Sequence, residues 1–181
     1  MRLDARPSLA GVVLAGGASS RFGRNKAEEL WRGRTLLDWS VAALDPLCSA
    51  VFVSGQDHAG RESVADRPRA GLGPLGGLAG AMKAARDRGY TRILSLPCDT
   101  PQLPEGLLAS LIVQGSAYIA GCPVIGIWPT AKADQLAGWL ADDQSRSVRV
   151  WAEATGAKPL DPGVPIININ RLDDLTDLES R

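Results

Sequence analysis

The sequence predicts an α/β fold, namely a single-domain, Rossmann-like three-layer sandwich with a mostly parallel central sheet. Short apolar runs alternate with helix-like segments along the chain, as in proteins whose helices cover both faces of a parallel sheet. The chain has 181 residues, 45% of them hydrophobic, which suits one compact domain with its own core. We therefore predict a single domain over residues 1–181.

Strand-like and helix-like segments can be assigned in order. The apolar runs that predict strands lie at 11–15, 50–53, 92–96, 118–120, 124–128 and 166–169. The helix-like segments lie at 35–44, 74–88, 104–113, 133–140, 148–154 and 172–178. Pro74 suits the first turn of its helix, and Gly89 suits the position after its end.

Charge and cysteine content exclude several classes of partner and compartment. Lys and Arg number 20 and Asp and Glu number 20, so the net charge is zero and nothing recruits a nucleic acid. The apolar runs are far shorter than the ~20 residues of a membrane span, and we expect no signal peptide. Cys48, Cys98 and Cys122 lack CxxC spacing, which favours a reduced, cytoplasmic compartment.

Three polar loops are predicted at one edge of the sheet. They cover residues 16–26, 97–101 and 168–170, each at the end of a strand-like run. Open α/β sheets bind ligands beyond the carboxyl ends of their strands. The three loops are therefore expected to form one ligand site.

The first loop has the composition of a phosphate site. Gly16 and Gly17 lack Cβ atoms, so their backbone N–H groups can lie against an anion. Arg21 adds a fork of donors and Lys26 a mobile point charge. The spacing is neither GxGxxG nor GxxxxGK[ST]. A glycine-rich turn with solvated charges is the alternative interpretation.

Carboxylates and amides in the later loops complete the candidate site. Asp99 follows a strand-like run, where a carboxylate near phosphates is a natural Mg²⁺ ligand, although it could also cap a turn. Asp66 can accept from the N–H edge of a guanine, or it is a solvated loop charge. Asn168 and Asn170 alternate along a predicted strand, so both side chains are expected on one face.

A family resemblance follows from these segments. Residues 14–26, LAGGASSRFGRNK, resemble the L-A-G-G-x-x-x-R-x-G-x-x-K segment of nucleotidyltransferases that activate sugars and cofactors. Within that superfamily the likeness is to the molybdenum cofactor guanylyltransferases. Further matching segments lie at 64–66, 73–78, 97–104 and 168–170, so the likeness spans roughly residues 9 to 178.

The resemblance implies a single nucleotidyltransferase domain. The implied reaction transfers GMP from GTP to molybdenum-bearing molybdopterin and releases pyrophosphate, with Mg²⁺ as cofactor. The implied partners are GTP, a molybdopterin-type acceptor and, transiently, molybdoenzyme clients. A cytoplasmic location without nucleic acid or membrane is expected.

Residue roles are also implied by the resemblance. Lys26 and Arg21 would offset charge on the triphosphate, and Asp99 would hold Mg²⁺; these three are the implied catalytic residues. The residues implied to bind nucleotide, metal or acceptor are Leu14, Ala15, Gly16, Gly17, Ser19, Arg21, Lys26, Ser54, Asp66, Gly73, Asp99, Asn168 and Asn170.

Two departures from the family pattern leave alternatives open. Asn25 stands where family members usually carry Asp, and Ser54 stands where some relatives carry Asn. One alternative is a cytidylyltransferase acting on the same acceptor. Another is a non-catalytic relative that binds a nucleotide or cofactor and delivers it to other proteins.

Overall fold

The central feature of the computed structural model is a seven-stranded sheet with strand order β5-β4-β1-β6-β8-β7-β9. The structure describes residues 9–16, 25–170 and 174. The sheet strands are β1 (Leu9–Leu14), β4 (Ala50–Ser54), β5 (Glu62–Val64), β6 (Arg92–Pro97), β7 (Ala117–Ile119), β8 (Cys122–Pro129) and β9 (Lys158–Leu160). A separate hairpin pairs β2 (Leu30–Trp31) with β3 (Arg34–Thr35).

The sheet is mostly parallel, as predicted. β1 pairs in parallel with β4 and β6, β4 pairs in parallel with β5, and β7 pairs in parallel with β9. In the described part of the chain, β8 is the sheet strand that runs against its neighbours, pairing antiparallel with β6 and β7. The carboxyl ends of β1, β4 and β6 consequently meet at one edge.

Five helices cover the sheet within the described ranges. They are α1 (Leu36–Leu44), α2 (Pro74–Asp87), α3 (Leu107–Ile112), α4 (Ala133–Ala141) and α5 (Val148–Ala154). The Thr35 side chain caps α1 by accepting from Asp38 N, and Ser147 caps α5 by accepting from Val150 N. Pro74 stands in the first turn of α2, as its fixed φ favours.

Two hydrophobic cores make the fold a three-layer sandwich. Successive residues of β1 point to opposite faces: Val12 packs with α2, α4 and α5, whereas Val13 packs with α1 and α3. Burial on both faces explains why β1 is a continuous apolar run and why β6 does not alternate between apolar and exposed polar residues. The predicted α/β class and layer arrangement are confirmed.

The strand predicted at 166–169 is wrong. Residues 165–170 pair with no described strand, and β9 occupies the sheet edge beside β7 instead. Ile169 is fully buried in a small cluster with Trp31 and Leu36, so its apolar character reflects packing and not a sheet ladder. The predicted helix at 172–178 lies outside the described residues except for Asp174.

One predicted helix needs correction at its start, and four short strands were missed. The helix predicted over 104–113 begins only at Leu107, because Gly106 has a left-handed φ of 74°. The short strands β2, β3, β5 and β9 were not predicted, since two or three residues carry too little periodicity. No described helix combines the length and apolar character needed to cross a bilayer.

Candidate active site

Two adjoining cavities open at the carboxyl ends of β1, β4 and β6. The smaller cavity has a volume of about 270 Å³ and is lined by Leu14, Ala15, Gly16, Asn25, Lys26, Pro74, Pro97, Cys98, Asp99, Cys122, Val124 and Asn168. The larger has a volume of about 740 Å³ and is lined by Leu14, Gly16, Ser54, Gly55, Gln56, Asp57, Ser63, Val64, Ala65, Asp66, Ala70, Gly71, Gly73, Pro74 and Gly77. Leu14, Gly16 and Pro74 line both cavities, which are therefore contiguous.

An ion pair between Lys26 and Asp99 lies in the smaller cavity. Lys26 Nζ is 2.9 Å from Asp99 Oδ2, and the two side chains remain 19% and 25% exposed. Lys26 begins a short 3-10 turn, Lys26–Glu28, whereas Asp99 follows β6. The pair joins a cation and an anion at the strand ends while leaving both accessible to a ligand.

The backbone around Asp99 is fixed by neighbouring segments. Cys98 N donates to Leu14 O, and Ile169 N donates to Asp99 O at 2.8 Å. Burial, with a further contribution from Asp99, raises the pKa of the Cys98 thiol to about 12. Cys98 is therefore a protonated packing residue at neutral pH and is not a nucleophile.

The smaller cavity has an oxygen-donor set suited to Mg²⁺. Asp99 and Asn168 both line it, and carboxylate and amide oxygens are hard ligands. Among the described residues no hydrogen bond engages Asp99 Oδ1, and no group of three His, Cys, Asp or Glu side chains could enclose a metal. The residues therefore fit an ion that phosphates and water complete, as is usual for Mg²⁺.

Asp66 lines the larger cavity, and two hydrogen bonds fix the orientation of its carboxylate. Ser54 Oγ donates to Asp66 Oδ1 at 3.4 Å, and Gly71 N donates to Asp66 Oδ2 at 3.2 Å. A carboxylate offers about four lone-pair sites, so two donors leave room for a ligand's donors. Asp66 is thereby oriented and still able to accept.

Two glycines in the first turns of α2 let the helix approach Asp66 and Ser54. A Cβ at Gly76 would lie 2.9 Å from Asp66 Oδ2, and a Cβ at Gly77 would clash with Ser54 Oγ. These two glycines of α2 are thus explained by helix packing against the cavity wall. Gly73 differs, because its Cβ would meet nothing and its φ of 70° is what requires glycine.

The loop after β4 forms a wall of the larger cavity and is anchored on α1. His58 Nε2 lies 2.8 Å from Asp38 Oδ1, and Thr35 Oγ1 donates to Asp38 Oδ2 at 2.7 Å. Hydrogen bonds from His58 and then Thr35 lower the pKa of Asp38 below its ordinary value. The sequence suggested no role for His58, and the structure gives it this structural one.

The Asp38 contacts predict a pH-dependent stability. A carboxyl with a lowered folded-state pKa stabilises the fold above its unfolded value of 3.8, and this contribution is lost as pH falls through the folded value. We expect Asp38→Asn to lower the free energy of unfolding by less than about 1 kcal/mol at pH 5, because Asp38 is 43% exposed. The difference in the free energy of unfolding between the parent protein and Asp38→Asn should be smaller at pH 3. Urea unfolding of both proteins at each pH measures it, and an equal difference at the two pH values would contradict this expectation.

The structure places most of the predicted residues in one of the two cavities. Leu14, Ala15, Gly16, Lys26, Asp99 and Asn168 line the smaller cavity, and Leu14, Gly16, Ser54, Asp66 and Gly73 line the larger one. Gly17, Ser19 and Arg21 lie outside the described residues.

Asn170 does not share a face with Asn168 in the way that strand alternation predicted. Asn170 is exposed and lines neither cavity, and its backbone N donates to Asp174 Oδ2. The alternation argument fails because residues 165–170 form no strand.

Several cavity residues were not anticipated. Gly55 has a φ of 96°, and a Cβ there would overlap the backbone of Gly16, so the ends of β1 and β4 can touch only through glycine. Gln56 follows it into the larger cavity wall, and Cys122 and Val124 enter the smaller one from β8. For Gly55 the one available signal was a glycine two positions after the end of a predicted strand.

The layered fold with paired cavities and a Lys–Asp pair, together with the glycine-rich sequence that follows β1, is that of a nucleotidyltransferase of the α/β class. Comparison with known proteins agrees. The MobA-like NTP transferase domain family matches residues 11–158, and the chain belongs to that family.

Individual relatives cover nearly the whole chain. The molybdenum cofactor guanylyltransferase of Sinorhizobium fredii is 34% identical over 197 residues, covering 93% of this chain and 89% of the relative. Molybdopterin-guanine dinucleotide biosynthesis protein A from Archaeoglobus fulgidus has a similar fold, with a TM-score of 0.75, 19% identity and coverage of 94% and 97%. The 2-C-methyl-D-erythritol 4-phosphate cytidylyltransferase of Francisella tularensis has a TM-score of 0.71, 13% identity and coverage of 95% and 98%. The fold is therefore shared by transferases of different nucleotides.

Proposed function

We propose that the protein transfers GMP from GTP to molybdopterin bearing molybdenum. The observation that carries the proposal is the Lys26–Asp99 pair at 2.9 Å in a cavity contiguous with the one that holds Asp66. The larger cavity has the volume of a small-molecule site. The name of the curated relatives supports guanine as the base and molybdopterin as the acceptor.

The reaction needs no protein nucleophile. An oxygen of the acceptor's terminal phosphate attacks the α-phosphorus of GTP and forms a new P–O bond. The bond between the α-phosphorus and the oxygen that bridges it to the β-phosphorus breaks, and pyrophosphate leaves. The acceptor phosphate supplies the attacking electron pair, so the protein contributes positioning and electrostatic stabilisation. Lys26 offsets negative charge on the triphosphate, and Arg21, which follows β1 in the sequence, is proposed to do the same.

Asp99 is proposed to hold Mg²⁺ with help from Asn168. When bound there, Mg²⁺ would neutralise charge on phosphate oxygens. Lys26 keeps Asp99 Oδ2 engaged at 2.9 Å, so the carboxylate is held at the cavity in a defined position. Leu14, Ala15, Gly16 and Gly17 are proposed to bring backbone close to the triphosphate, and Ser19 to lie beside it.

The base is proposed to occupy the larger cavity against Asp66. Guanine presents an N1–H and an exocyclic amine as donors, whereas adenine presents an acceptor at N1. Asp66 accepts, and Ser54 and Gly71 hold it in place. The cytidylyltransferase alternative is not retained, because the sequence relative reported above is named a guanylyltransferase.

The proposal is tested by pyrophosphate release. The protein is mixed with Mg²⁺, molybdenum-bearing molybdopterin and each of GTP, ATP, CTP and UTP in turn. We expect release with GTP and little with the others. Binding of GTP without any release would favour the non-catalytic relative, and strongest release with CTP would overturn the assignment of the base.

Substituting Asp66 tests base recognition separately from catalysis. We expect Asp66→Asn to reduce the preference for GTP over ATP at least about tenfold, because a donor amide then faces a donor edge of guanine. Asp57→Asn, which removes a charge from the same cavity, should keep the preference. Competition binding of the two nucleotides checks both variants. An unaltered preference in Asp66→Asn would mean that Asp66 does not contact the base.

A further inference from the structure

The side chain of Asn25 makes three hydrogen bonds, two within its own turn and one to the loop after β4. Its Oδ1 accepts from Ala27 N at 3.2 Å and caps the turn that begins at Lys26. Its Nδ2 donates to Glu28 Oε1 at 2.9 Å and to Gln56 Oε1 at 2.8 Å. The contact with a backbone N–H fixes which amide atom is oxygen, because the nitrogen cannot accept.

The bond to Gln56 connects the walls of the two cavities. Asn25 and Lys26 line the smaller cavity, and Gln56 lines the larger one. Gln56 is brought into range because Gly55 and Gly16 allow the strand ends to touch. The Asn25 amide therefore ties the loop carrying Lys26 to the loop beside the proposed base site.

An aspartate in place of Asn25 could not make the same contacts. A carboxylate only accepts, so it could still cap Ala27 N but could donate to neither Glu28 nor Gln56. Gln56 can rotate its amide and become the donor, whereas Glu28 has no donor and would oppose a second negative charge. The requirement for asparagine thus comes from Glu28.

We propose that Asn25 is a positioning residue that fastens the loop carrying Lys26 to the base-side loop, and that its amide is matched to the carboxylate of Glu28. Exchanging donor and acceptor between residues 25 and 28 should then preserve the hydrogen bonds that join the two loops. The carboxylate introduced by Asn25→Asp would accept from the amide introduced by Glu28→Gln and from a rotated Gln56. The inference rests on the proposed function, because it assigns the connection a role in holding the nucleoside triphosphate.

The test is a polarity exchange followed by GTP binding and steady-state kinetics. We expect Asn25→Asp to weaken GTP binding about fivefold, as expected for the lost hydrogen bond to Glu28 and one like-charge contact at an exposed site. The double variant Asn25→Asp with Glu28→Gln should recover to within about twofold of the parent protein. Glu28→Gln alone is the matched control and should bind normally, because a glutamine oxygen still accepts from Asn25.

KM values and Tm together distinguish a positioning role of Asn25 from a purely structural one. A positioning role predicts a raised KM for GTP, an unchanged KM for the molybdopterin acceptor and the same Tm in all four proteins. Normal GTP binding in Asn25→Asp, or no recovery in the double variant, would overturn this inference and leave the proposed function standing. No GTP binding by the parent protein would overturn both.

Discussion

Replacing Asp99 with alanine is expected to lower pyrophosphate release at least about 100-fold, since stabilising charge on a transferring phosphoryl group is usually the largest catalytic contribution. The variant removes the carboxylate that we propose to hold Mg²⁺ and, with it, the ion pair that Asp99 forms with Lys26 at 2.9 Å. The fold should persist, because Asp99 is 25% exposed at a strand end and its backbone contacts do not need the side chain.

The control for this variant lies in the same loop. Glu105 is an exposed carboxylate between β6 and α3 that lines neither cavity, and Glu105→Ala should keep full activity. Steady-state rates with GTP and acceptor, with circular dichroism to verify folding, provide the measurement. A folded Asp99→Ala protein with a normal rate would refute the assignment of the metal site.

The second large effect is expected at Lys26. Lys26→Ala should weaken GTP binding or turnover at least about tenfold, because a largely buried charge interacts more strongly with a triphosphate than a charge in bulk water does. Lys26→Arg should not restore full activity, since a planar guanidinium differs in reach and geometry. The free energy of unfolding should change by no more than about 1 kcal/mol, as for other partly exposed ion pairs.

A lysine on α2 provides the comparison. Lys83 pairs with Asp87 on the helix surface, and Lys83→Ala should leave GTP binding and turnover unchanged. Isothermal titration with GTP and steady-state kinetics measure both variants. Normal kinetics in Lys26→Ala and Lys26→Arg would show that Lys26 is a solvated charge and would favour a non-catalytic nucleotide-binding protein.

The elements that the sequence predicted well are those with long, repeated patterns. β1 is fully buried and β6 is buried after its first residue, and α2 has proline at its start and glycine after its end, so local chemistry and tertiary packing agree. The strand at 166–169 was predicted wrongly, because a run of four apolar or amide residues has the same sequence pattern in a sheet as in a small hydrophobic cluster.

Site residues could be predicted from the sequence where the residue type and its position after a strand indicate the role. They could not be predicted where the role depends on a contact with a distant residue. Lys26 and Asp99 follow predicted strands, and the topology brings them together. The contribution of Asn25 depends on Glu28 and Gln56, the latter 31 positions away, and no local pattern indicates such a pairing. Gly55 likewise acquires its meaning only from its contact with Gly16.

The reversed direction of β8 divides the site between two independent portions of the chain. Because β8 runs against β6, its beginning reaches the cavities, and the tight turn at residues 120–121 between β7 and β8 stands at the same edge. The residues proposed to hold GTP come mainly from positions 14–77, whereas Cys122 and Val124 border the smaller cavity from the opposite side. Exchanging this one hairpin turn for a longer one would therefore reshape that side of the smaller cavity and leave the larger cavity, which β8 does not line, intact.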